Sequence, residues 1–124
     1  MLEVYSLNVD AGADSAIPLN NVTIQKGCTA VLSSPSTIQL NKCGVYMVSC
    51  DASAATSVTV QLYKDGVAQP QAQGTGATPA FTTLVQVPTN NCDCACASPT
   101  LLQIFNTGDG TVYTNINVCV TKVV

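Results

Sequence analysis

Apolar and polar residues alternate with a period of two along most of this chain, in short runs broken by turn chemistry, as half-buried β-strands require. The longest run is Ile38 to Ala55, IQLNKCGVYMVSCDASAA. Ile38 and Leu40 alternate with Gln39 and Asn41, Lys42-Cys43-Gly44 permits a kink, and Val45 to Cys50 is almost continuously apolar and β-prone. A stretch of that kind predicts a central strand buried on both faces, with a second layer on one side and a neighbouring subunit on the other. Val45, Tyr46, Met47, Val48 and Cys50 are therefore the candidate core or interface residues, Tyr46 and Val48 sharing one face with Cys50 and Val45 sharing the other with Met47.

The remaining pattern fits around this strand. Leu2 to Val9 predicts a first strand, followed by a loop over Asp10 to Asp14, short strands at Ile17 to Leu19 and Val22 to Gln25, a turn at Lys26-Gly27, and a strand from Thr29 to Leu32. After the central segment, Ser57 to Tyr63 alternates, Lys64-Asp65-Gly66 supplies the positive φ angles of a tight hairpin, and Val67 to Ala72 returns. Gln73 to Pro79 is a loop, and Ala80 to Val87 alternates through Phe81, Thr83, Val85 and Val87. Pro88 to Pro99 predicts a loop carrying Cys92, Cys94 and Cys96, Thr100 to Asn106 a strand, Thr107 to Gly110 a turn, and Thr111 to Val123 the last strand. In that strand Val112, Ile116, Val118 and Val120 share a face with Thr114, and Tyr113, Asn115, Asn117 and Cys119 share the other. No segment carries helical periodicity. Eight to ten antiparallel strands at this spacing predict an all-β sandwich or barrel, with a jelly-roll sandwich favoured by the size, and 124 residues form one domain spanning 1–124.

Composition narrows the chemistry. The charged residues are four lysines and seven carboxylates, with no Arg, His or Trp. Catalysis of the Ser/His/Asp kind is excluded for want of His, and no guanidinium is present to clamp a phosphate. A net charge of −3 argues against nucleic acid as a partner. The N-terminal MLEVYSLNVDAG carries Glu3 and Asp10 and no basic stretch, so it does not read as a signal peptide. No apolar run approaches the roughly 18 residues of a membrane-spanning helix, so no membrane insertion is expected. The expected protein is not an enzyme and uses no cofactor.

The order of these segments carries a resemblance. Ile38 to Ala52 reads I-x-L-N-K-x-G-V-Y-x-V-x-x-D-A, Val58 to Val67 reads V-x-V-Q-L-Y-K-D-G-V, Phe81 to Val87 reads F-x-x-L-V-Q-V, and Ile116 to Val120 reads I-x-V-x-V. This order resembles the tumour-necrosis-factor and complement-head jelly-roll superfamily, and within it the bacterial and phage members, such as spore-surface collagen-like protein heads and phage head-fibre or tail-associated modules. The resemblance runs from about Ile17 to Val123, with Gly44, Val45 and Tyr46 on the superfamily's G-x-Y strand and Asp65-Gly66 on its hairpin. Sparse aromatics, two Phe and four Tyr, and the cysteine count depart from it. It implies a homotrimer in which the central and last strands line the threefold axis.

Seven cysteines are present, at 28, 43, 50, 92, 94, 96 and 119, and an odd number leaves at least one thiol unpaired within a chain. Three readings stand. Cys92, Cys94 and Cys96 could form a metal site, although C-x-C-x-C lacks the usual spacing and no metal is expected. Disulfides could form within that loop or from it to Cys28 or Cys43, as suits an extracellular or virion surface. Most could be small buried hydrophobes, which Cys50 fits best.

Two function classes follow. One is a trimeric structural or attachment module on a particle, a phage head fibre or capsid decoration protein at the virion surface, whose partners are a capsid or other particle protein and a host-surface receptor or glycan. The other is a secreted or spore-surface trimeric module that binds a receptor or carbohydrate.

Overall fold

The computed structural model describes residues 1–88 and 95–124, with the side chains of residues 95–98 outside the description. Among the described residues there are eleven strands and no helix: β1 (Leu2–Ala11), β2 (Ser15–Ala16), β3 (Asn21–Gln25), β4 (Ala30–Ser34), β5 (Thr37–Lys42), β6 (Gly44–Ala54), β7 (Val58–Lys64), β8 (Val67–Gly76), β9 (Ala80–Val87), β10 (Ala95–Thr107) and β11 (Thr111–Lys122). One sheet has the order β3-β1-β11-β6-β9 and the other β4-β5-β10-β7-β8, with β2 on β10. Every pairing is antiparallel. The inner faces meet in one core that includes Leu2, Val4, Tyr46, Val48, Leu62, Ile104, Ile116 and Val118.

The expected central segment is two strands in two sheets. β5 lies in the six-stranded sheet and β6 in the five-stranded one, and the chain crosses between them at Cys43-Gly44. Gly44 makes the corner at a φ of 141°, and a Cβ there would lie 2.5 Å from the Val124 carbonyl oxygen. Cys43 beside it is buried and disulfide-bonded. β6 sits between β11 and β9. Among the described residues one of its faces is covered: Tyr46, Val48, Cys50 and Ala52 are buried, while Met47 is 41% exposed. Burial on both faces, expected from the apolar run, is not met by the chain alone.

Two further differences appear, the first of them from a phase change. The pairing of β1 with β11 steps from Leu7↔Asn115 to Val9↔Tyr113, passing over Asn8 and Thr114 on opposite strands. Asn8 takes a φ of 49° there. Beyond this paired irregularity the inward phase moves by one residue on each strand. Tyr113 is fully buried and Val112 is 50% exposed, the reverse of the strict alternation expected for the last strand. Ile17 and Leu19 are fully buried outside any strand, held partly by the Ile17 amide donating to Ile104 O at 2.8 Å. The strand at this point is Ser15–Ala16 instead.

Candidate functional site

The outer face of the five-stranded sheet is where the structure leaves apolar surface on a regular, rigid platform. β6 and β9 pair Met47 with Leu84 and Val45 with Gln86, so these side chains share that face. Met47 is 41% and Leu84 61% exposed, and Val45 is half-buried. At the other side of the sheet Leu7 of β1 is 58% exposed beside Asn115 of β11. Sequence alternation marks Leu84 as anomalous, because it is a leucine in the polar phase of Phe81, Thr83, Val85 and Val87. Leu7 carries no such mark, since its phase depends on the irregularity at Asn8.

Between the apolar ends the same face is polar. The cross-strand row Glu3, Cys119, Ser49, Thr82 runs from β1 to β9, and the next row holds Tyr5, Asn117 and Asp51. The Cys119 thiol donates to Glu3 Oε2 at 3.0 Å, and Asn117 Nδ2 donates to Cys119 Sγ at 3.7 Å. Partial burial, together with the Glu3 carboxylate that the thiol faces, pushes Cys119 up to about 11. A thiol so held is protonated at neutral pH and acts as a hydrogen-bond donor rather than a nucleophile.

The predicted strand residues divide cleanly. Tyr46, Val48 and Cys50 belong to the core, and Val45 and Met47 to the outer face. Tyr46 also donates its hydroxyl to Lys42 O at 2.6 Å, tying β6 back to the end of β5 across the corner. Cys50 is a buried free thiol whose pKa is raised, first by burial and then by Asp51. Cys28 and Cys119 are also free thiols, and Cys28 is exposed. Cys92 and Cys94 lie outside the described residues, as does the side chain of Cys96, whose backbone opens β10.

No family model matches the chain, and no curated protein matches it. Solved structures do. The PRD1 vertex protein P5 superposes with a TM-score of 0.68 at 12% identity, covering 99% of this chain and 96% of that one. Murine APRIL gives 0.64 at 7% identity over 98% of both chains. The globular domain of zebrafish complement 1qA gives 0.64 at 10% identity over 95% and 94%. The fold is the tumour-necrosis-factor-like jelly roll, shared with the complement 1qA globular domain and with the PRD1 vertex protein P5. At these identities the likeness is one of fold.

Proposed function

We propose that residues 1–124 form one jelly-roll domain acting as a non-enzymatic, homotrimeric structural or attachment module on the surface of a phage particle, of the head-fibre or capsid-decoration kind. The observation that carries the trimer is the β6–β9 pair, whose outward Met47 and Leu84 stand in water while the inward residues of the same strands fill the core. Covering a Met or Leu side chain stabilises an assembly by roughly 1.5 to 3 kcal/mol, and a threefold axis repeats each contact three times. Among the described residues Glu3, Asp10 and Asp51 are the acids of the outer face and Lys42 and Lys122 lie near the ends of β5 and β11, and ion pairs among so few exposed charges contribute little to holding copies together.

Val45 and Met47 are thereby interface residues, and Tyr46, Val48 and Cys50 core residues. The likeness to the PRD1 vertex protein supports a place on a virion, where the partners are a capsid or other particle protein and, outward, a host receptor or glycan. Immunogold labelling of intact particles with antibody to the native protein tests the location. Gold on the particle surface is expected, and protein confined to the particle-free fraction overturns it.

A further inference from the structure

At the end of the sandwich opposite the paired Leu2 and Val120, the β6–β7 and β10–β11 turns enclose a pocket of about 250 Å³. The turn forming one wall is fixed from below. Asn106, buried at the end of β10, donates its Nδ2 to Gly12 O at 3.0 Å and to Asp109 O at 2.9 Å, and its Oδ1 accepts from the buried Tyr113 hydroxyl at 2.7 Å. From the β1–β2 turn, Asp14 Oδ1 accepts from the Gly108 amide at 2.8 Å, and the Asp14 amide donates to Gly108 O at 3.2 Å. The two walls are linked where Thr107 Oγ1 donates to Thr59 O at 3.4 Å. A turn held by this many hydrogen bonds offers a backbone that needs no further ordering, which lowers the cost of binding.

The lining selects a ligand class. Thr56, Ser57, Asp109 and Thr111 line the pocket, and no hydrogen bond among the described residues engages their side chains. Among the described lining residues Asp109 is the one charged side chain and it is negative, which disfavours phosphate or carboxylate ligands. Val58 is the one large apolar lining residue and it is already buried, so an apolar ligand gains little. The hydroxyls of Thr56, Ser57 and Thr111 beside one carboxylate suit a neutral ligand rich in hydroxyls: a carboxylate accepts from two neighbouring hydroxyls at once, and Thr and Ser hydroxyls both donate and accept.

We propose that this pocket binds a single neutral hexose unit of a glycan, with Asp109 accepting from a pair of adjacent sugar hydroxyls and Ser57, Thr56 and Thr111 completing the contacts. The site lies within one chain, so it stands or falls separately from the trimer. Amide chemical shifts of the isotope-labelled protein, titrated with the methyl glycosides of glucose, galactose, mannose and N-acetylglucosamine to about 50 mM, well above the millimolar affinity of a single weak site, test it. At least one glycoside is expected to shift the amides of residues 56–59 and 106–111 saturably. Asp109→Ala, whose side chain takes no part in fixing the turn, should weaken that binding about tenfold. Lys26→Ala, on the exposed β3–β4 turn, should leave it unchanged. No saturable shift with any of the four glycosides, or shifts that Asp109→Ala leaves intact, overturns the proposal.

Discussion

Asn106 and Tyr113 are polar groups in the core that satisfy one another and two backbone carbonyls, so their value lies in what their removal leaves behind. Asn106→Leu leaves the Tyr113 hydroxyl buried and unpaired, at about 1 to 3 kcal/mol, and also releases the Gly12 and Asp109 carbonyls of the turns above it. Tyr113→Phe leaves one acceptor wanting and is expected to destabilise less. Urea unfolding of the two variants should rank them in that order, and equal effects would show the network to be unimportant. The thiols and Tyr113 also set the alkaline limit of stability. Cys119 rises to about 11 and Tyr113 to about 12, each chiefly through burial, and Cys50 rises for the same reason. Between an ordinary thiol pKa and these raised values the folded chain holds protons that the unfolded chain has released, so stability present below about pH 9 falls as pH climbs. The melting temperature should therefore drop from pH 9 to 11, and more shallowly in Cys119→Ser; a flat profile would contradict the burial of these groups. Residue by residue, the sequence marked Cys50 as buried through its apolar neighbours. The fixing of Thr107 to Gly110 by Asn106 and Asp14 was not legible, because 94 residues separate Asp14 from Gly108 and Asn106 from Gly12.

At the level of elements, β6 is where pattern reading was strongest and also where it stopped. Because Val45 and Met47 are as apolar as Tyr46 and Val48, alternation could assign pairs to faces but not say which face met the core. The structure resolves this: Val48 is fully buried and Met47 points outward. Val48→Asp should then unfold the subunit, since an unpaired buried carboxylate costs several kcal/mol, whereas Met47→Asp should leave a folded monomer. Circular dichroism with light scattering separates the two outcomes, and a folded trimer from Met47→Asp would remove the outer face from the interface. The long run from Ile38 to Ala55 concealed a change of sheet, since a strand leaving one sheet and entering another keeps its apolar character. Gly44 was the sole visible sign of the corner. In the last strand, the phase change opposite Asn8 reversed Val112 and Tyr113, and a pattern read on one strand at a time does not show an irregularity shared by two.

For the whole molecule, the all-β class and the jelly roll were legible because turn residues recur at short intervals and the segment order resembles the superfamily. The number of strands was underestimated, since Ser15–Ala16 is too short to carry a pattern and β5 and β6 read as one. The proposed assembly rests on the unequal faces of the five-stranded sheet: one is closed by the other sheet, and the other presents Met47, Leu84 and Leu7 to water. In the proposed trimer the Met47–Leu84 pair of β6 and β9 is the part of this face that another copy covers. Association of folded subunits adds stability by mass action, so in the proposed trimer the melting temperature rises with protein concentration. The most direct test is the mass of the unmodified protein by multi-angle light scattering at micromolar concentration. The proposed assembly gives about three times the 12.8 kDa chain mass, and a particle of 12.8 kDa contradicts it.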